Sequence, residues 1–234
     1  MLGAVVAGND ELLERLKGIR RSMAEAAEGV GRRPDDVLLV AAAKTVPAEN
    51  VARAIDAGVD AVGENYVQEL RLKRSALGDH PCRWHYIGTL QTSTAHHVAD
   101  LSDLVETVAG ERAARRLGGR AERAGRLLEV LIEVDFTQQR AGVRPEDLAG
   151  FVDLVAGIGG LRARGLMTIP PLTATAEDAR PFFARLRELR DRIREKHPDV
   201  LDLSMGMSLD YRVAIEEGAT MVRIGTALFG ERTP

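Results

Sequence analysis

Lys44 is the first residue whose placement asks for a chemical explanation. Only four of the 32 basic residues are lysines: Lys17, Lys44, Lys73 and Lys196. Three lie in charged, helix-like stretches, whereas Lys44 ends an apolar run over 37–43. A lysine in that setting is partly desolvated, and its free amine becomes available for carbonyl chemistry. Pairing with Glu64 or another carboxylate, or snorkelling to solvent, would account for it equally well. Two later segments suit an anion. One carries Gly206, Met207 and Ser208 just before a helix expected over 209–217; the other carries Gly225 and Thr226. Glycines there let backbone N–H groups approach a phosphate, Ser208 as a helix cap and Thr226 add hydroxyls, and a helix dipole favours a dianion. Tight turns and an ordinary cap are the plainer account of the same residues. Arg223, two residues before Gly225, either faces the ligand or pairs with an inward carboxylate such as Glu64 or Glu133.

Strand-like runs at 37–44, 61–64, 84–88, 104–108, 127–136, 161–169, 202–205 and 221–224 must position these groups. Helical periodicity fills the intervals, clearest over 10–28, 146–158 and 178–195, with Pro145 and Pro181 suited to first turns. Strand–helix alternation implies a parallel sheet covered by helices. Eight such units favour a closed (β/α)8 TIM barrel over an open doubly wound sheet. Too little chain follows the eighth strand for a full helix, so the N-terminal helix is expected in that slot. The expected organisation is one domain over 1–234, with 1–8 flexible. In such barrels the chemistry lies at the carboxyl ends of the strands, and the loops after strands seven and eight often hold a phosphate. A Schiff-base lysine beside a phosphate cup suits a phosphosugar aldehyde or pyridoxal 5′-phosphate. For the latter, Arg223 would donate to the pyridine nitrogen and weaken the ring as an electron sink.

Composition removes other classes. The 234 residues are 45% hydrophobic, enough for a sizeable core, and the formal charge of -3 gives a polyanion no foothold. Aromatic residues at 4% leave no stacking platform for single-stranded nucleic acid. Cys82 is the only cysteine, which excludes an intrachain disulfide, and the five histidines show no metal-ligand spacing, so no metal is expected. The N-terminus lacks a basic n-region and no apolar run reaches the ~20 residues of a membrane span. A cytoplasmic protein with no membrane partner is expected.

The motifs, in order, resemble the pyridoxal phosphate homeostasis protein family, also called the proline synthase co-transcribed homologue type. They are Ala42-Ala43-Lys44-Thr45, the stretch from Gly63 to Glu69, Trp84 to Gly88 with Leu90-Gln91, Arg164 to Pro170, Leu203 to Ser208, and Val222 to Gly230. The resemblance runs from about residue 10 to the end. It implies a barrel like the alanine racemase N-terminal domain, with pyridoxal phosphate joined to Lys44 as a Schiff base. By the same carry-over Ser208, Gly225 and Thr226 would hold the phosphate, Arg223 would face the pyridine nitrogen, Asn65 and His85 would lie near the ring, and Met207 would also border the cofactor. The chain departs from the family at Ala43, where serine is usual, and at Thr92-Ser93-Thr94, where the family continues x-Asn-Lys. It departs again at Arg140-Ala141-Gly142, where Lys-Ser-Gly is common.

Racemisation needs a base on each face of the substrate carbon. Alanine racemase-type enzymes take the second base from another domain and subunit, for which this sequence leaves no room. The expectation is therefore a cofactor carrier with no catalytic residue. It would buffer free pyridoxal phosphate, perform delivery to the apo forms of enzymes that use it, and act as a monomer. A weakly active racemase and a phosphosugar aldolase are the alternatives.

Overall fold

Short runs rich in buried apolar residues form eight parallel strands among the described residues, and these close on themselves in sequence order. The computed structural model describes residues 2–78, 80–137, 141–172 and 174–231, with side chains from Glu11 onward. The strands are β1 (Leu38–Ala42), β2 (Ala61–Glu64), β3 (Arg83–Tyr86), β4 (Leu104–Val108), β5 (Leu128–Glu133), β6 (Leu161–Met167), β7 (Asp202–Ser204) and β8 (Met221–Ile224). Helices α1 (Leu2–Gly29), α2 (Ala48–Asp56), α3 (Val67–Leu77), α4 (Ala95–Leu101) and α5 (Glu111–Arg123) belong to the first half. They are followed by α6 (Leu148–Ala156), α7 (Arg180–Arg194), α8 (Tyr211–Glu216) and the single turn α9 (Thr226–Phe229).

The expected (β/α)8 barrel is thus the observed fold. Helix α1 packs against α8, α9 and α2, filling the place that a full eighth helix would take. It begins at Leu2, upstream of the expected residue 10. The flexibility expected over 1–8 concerns residues whose side chains lie outside the described set. Pro181 sits in the first turn of α7, where its missing N–H costs nothing.

Two apolar layers follow from the period-2 alternation of each strand. Outward residues such as Leu39, Val62, Val105 and Leu166 join the helices in the main core. Inward residues Val40, Ala61, Leu104, Leu131, Met167 and Met221 plug the barrel. At the amino-terminal end of the strands Arg83, Glu129, Arg164 and Asp202 form a chain of ion pairs, at 2.9, 3.7 and 3.4 Å. Above the plug the interior turns polar, with His85, Glu106, Ser204 and Arg223 all buried.

Candidate functional site at the carboxyl ends of the strands

Lys44 lies in the turn after β1, two residues past its last strand residue, and is half-buried. The turn closes with the Val46 N–H donating to the Ala43 carbonyl at 2.9 Å. Its second residue, Thr45, has φ 63°, a left-handed conformation that β-branched residues avoid. The Lys44 Nζ stands 5.3 Å from the centre of the Tyr66 ring. A cavity of about 370 Å³ opens beside it. Its polar lining comprises Lys44, Asn65, Ser208, Arg223 and Thr226, with Gly225 between the last two. Met207 and Leu209 line the β7 side, and Ile87 and Ile169 supply further apolar wall. Every predicted site residue except His85 therefore borders one space.

The loops after β7 and β8 are tied to each other. Gly206 has φ 93°, and a Cβ there would stand 2.5 Å from the Ala214 Cβ, so only glycine makes this bend against α8. The Met207 N–H donates to the Asp210 carboxylate at 2.7 Å, which fixes the loop. The expectation that Ser208 caps the following helix is corrected: α8 starts at Tyr211 with Asp210 in the cap position. Leu209 and Asp210 continue the turn because Asp210 is spent on the Met207 N–H. Ser208 instead accepts from the Ala227 N–H at 3.2 Å, joining the β7 loop to the first turn of α9. No backbone carbonyl among the described residues takes the N–H of Gly225 or Thr226.

Arg223 reaches the cavity from inside the barrel. Its Nη1 donates to the Ser204 hydroxyl at 2.5 Å and its Nη2 to the Thr168 carbonyl at 2.9 Å. Ser204 in turn donates to Glu106 at 2.6 Å, and the His85 Nδ1 donates to the other oxygen of that carboxylate at 2.7 Å. Glu106 lies 3.6 Å from the guanidinium. Burial pushes the Glu106 carboxyl up, but the His85 bond and charge, the Arg223 charge and the Ser204 bond outweigh it and hold it below the ordinary value. His85 is thus placed beneath the cavity rather than on its wall, and its Nε2 has no hydrogen-bond partner among the described residues. Glu106 was missed from sequence, although a glutamate in the run 104–108 was a visible signal.

A second buried cluster lies behind the Lys44 turn. Pairing of Lys44 with Glu64 is not what forms. Glu64 points outward between β2 and α3, where Lys73 takes its Oε1 at 2.6 Å. Lys73 also donates to the Ala43 carbonyl at 2.7 Å and to Glu69 at 2.9 Å. Lys73 lies in a charged helical stretch as expected, but only 7% of its side chain is exposed. Burial pushes the Glu64 carboxyl up to about 7, against the opposing hydrogen bond and charge of Lys73.

Comparison with known proteins now bears on this arrangement. Residues 16–233 match the model of the family described as alanine racemase, N-terminal domain. The pyridoxal phosphate homeostasis protein of Aquifex aeolicus is 40% identical, over 94% of this chain and 97% of its own length. The chain belongs to the pyridoxal phosphate homeostasis protein family. PipY of Synechococcus elongatus, solved with pyridoxal phosphate bound, superposes with a TM-score of 0.84 at 34% identity, over 94% of this chain and all of that one. An alanine racemase of Clostridium difficile shares the fold, with a TM-score of 0.69 at 15% identity over 92% of this chain and 57% of that one. Of this family member's departures, Ala43 is buried and lends its carbonyl to Lys73. Thr94 precedes α4, off the cavity wall, and Arg140 lies outside the described residues.

Among the described residues no helix is long and apolar enough to cross a membrane, and no group of histidine, cysteine or carboxylate side chains is spaced to hold a metal ion.

Proposed function

We propose that this chain binds pyridoxal 5′-phosphate at the barrel mouth and serves in pyridoxal phosphate homeostasis as a cofactor carrier. The carrying observation is that one cavity brings together an amine, two hydroxyls and a guanidinium: Lys44, Ser208, Thr226 and Arg223. Its volume of about 370 Å³ falls in the range of small-ligand pockets, roughly 300–1,000 Å³. When bound, pyridoxal phosphate supplies an aldehyde that a lysine amine captures with loss of water, and a phosphate dianion that needs donors.

Each donor fits one part of that group. Ser208 and Thr226 offer hydroxyls and Gly225 and Thr226 offer N–H groups to the phosphate, while Lys44 stands at the aldehyde end. Arg223 is held by Ser204 and Thr168, so its guanidinium is presented in a fixed plane. A guanidinium stays charged and only donates, which keeps the pyridine nitrogen unprotonated and limits electron withdrawal by the ring. Asn65 and Met207 close the sides.

The same lining favours holding over turnover. Lys44 is the one amine lining the cavity among the described residues, and the tyrosine beside it, Tyr66, stands with its ring centre 5.3 Å from that amine, on the same side as Lys44 itself. An enzyme moving a proton on both faces of a substrate needs a second base. The reading extends to a monomer in the cytoplasm that passes the cofactor to apoenzymes. A yellow chromophore bleached by borohydride, and absent in Lys44→Ala, is expected on adding the cofactor. A colourless wild-type protein would overturn the proposal, and steady loss of α-deuterium from labelled amino acids would replace the carrier by an enzyme.

A further inference from the structure

Lys73 sits where helical spacing puts an apolar residue, between Leu70 and Leu77 on the buried face of α3. An ammonium has three protons, and here all three are spent on Ala43, Glu64 and Glu69. Two of those contacts bracket Lys44. The Ala43 carbonyl belongs to the residue before it, and Glu69 accepts the N–H of the residue after it, Thr45, at 2.7 Å. Between these anchors the turn passes through the left-handed conformation of Thr45. Such a conformation persists in a β-branched residue only when its surroundings over-determine it. The Thr45 hydroxyl folds back on the Lys44 carbonyl at 2.6 Å, and no other side chain among the described residues takes the Thr45 N–H.

We propose that Lys73 is a positioning residue for Lys44: with Glu69 it clamps the turn after β1, so that the Lys44 amine is aimed into the cavity before any ligand arrives. Glu64 completes the clamp by neutralising the buried ammonium. Lys73 touches neither the cavity nor its ligand, and its effect reaches the chemistry only through the backbone on either side of Lys44. The inference rests on the assignment of the cavity to pyridoxal phosphate.

The rate at which Lys73→Met captures pyridoxal 5′-phosphate, followed by stopped-flow absorbance, is the primary test. Its companion is the affinity for pyridoxine 5′-phosphate, which carries an alcohol where the cofactor has its aldehyde. Capture is expected to slow roughly 10- to 100-fold, as misplacement of a reacting group by about an ångström does. Affinity for the alcohol should stay within about twofold of wild type, since the phosphate donors are untouched. Capture at the wild-type rate, or parallel loss of both properties, would overturn the clamp. If Lys73→Met does not fold, the double variant Lys73→Met/Glu64→Gln removes the stranded buried carboxylate, and Glu69→Gln cuts the Thr45 anchor alone. Hydrogen exchange of the 43–46 segment in ligand-free protein separates the clamp from the cofactor assignment. Exchange in Lys73→Met should be at least about tenfold faster there and unchanged in β5; unchanged exchange at 43–46 contradicts the clamp even if wild type binds no cofactor.

Discussion

Glu64 on β2 and Glu106 on β4 are both fully buried glutamates of the same barrel, and burial raises both carboxyls, yet their partners leave them shifted in opposite directions. Glu106 faces inward and receives His85 on one oxygen and Ser204 on the other, with the Arg223 charge beside it. It is held charged. Glu64 faces outward and receives Lys73 on one oxygen, shared with Glu69 and the Ala43 carbonyl, while its Oε2 is unpartnered among the described residues. Its carboxyl rises to about 7. The inner carboxylate provides a fixed counter-charge for a ligand-facing arginine. The outer one supports the lysine turn and titrates. Donor count, more than depth, decides which buried carboxylate keeps its charge.

The contrast is broken most severely by Glu106→Ala, which leaves Arg223 buried beside no Glu106 counter-charge. Urea denaturation should show a loss of about 3–5 kcal/mol, with pyridoxal phosphate affinity falling as well. A loss under about 1 kcal/mol would mean that the inner network is not what neutralises Arg223.

Glu64→Gln tests the outer carboxylate through pH. Its folded value lies above the unfolded one, so the native state binds the extra proton between about pH 4.5 and 7. The Glu64 contribution should therefore be lost as pH rises through that window, so the stability of wild type relative to Glu64→Gln should fall by about 3 kcal/mol across it. Glu106 runs the other way. Its folded value is depressed, so its contribution is present above the unfolded value and is lost as pH falls through the folded one. Measured by denaturant midpoints against wild type, the Glu64→Gln difference should change between about pH 4.5 and 7, and the Glu106→Gln difference should change with the opposite slope only below about pH 4.5. Parallel curves would erase the distinction between the two sites.

The smallest effect is expected at Thr45. Thr45→Gly relieves a left-handed residue at the cost of a freer unfolded chain, for a net gain of up to about 1 kcal/mol in thermal unfolding. A destabilisation beyond about 1 kcal/mol would show that the threonine hydroxyl, not the backbone N–H, holds the turn.

Much of this was legible in the residues, for reasons that differ by element. Strands β2, β4 and β8 end where the apolar runs end, because turn residues bound them sharply. The run over 127–136 overshot, since β5 stops at Glu133 and Val134 beyond it forms only an isolated bridge with Val143. Lys44 and the glycines stood out because their types are improbable in strand-end settings. Ser208 was misread because Leu209 and Asp210 continue the helical pattern without joining the helix. Lys73 and Glu106 were passed over because each occupies an apolar slot in its periodicity, and for Glu106 the partners His85 and Ser204 come from elements distant in sequence. Lys73 had a local clue, Glu69 four residues before it on the same helix face.

Four lysines make the central claim testable at one residue. Borohydride reduction of the protein with pyridoxal phosphate, followed by peptide mass mapping, reports which amine holds the cofactor. The account predicts the reduced adduct on the Lys44 peptide, with Lys17, Lys73 and Lys196 unlabelled. An adduct on one of those three, or on none of the four, would contradict it.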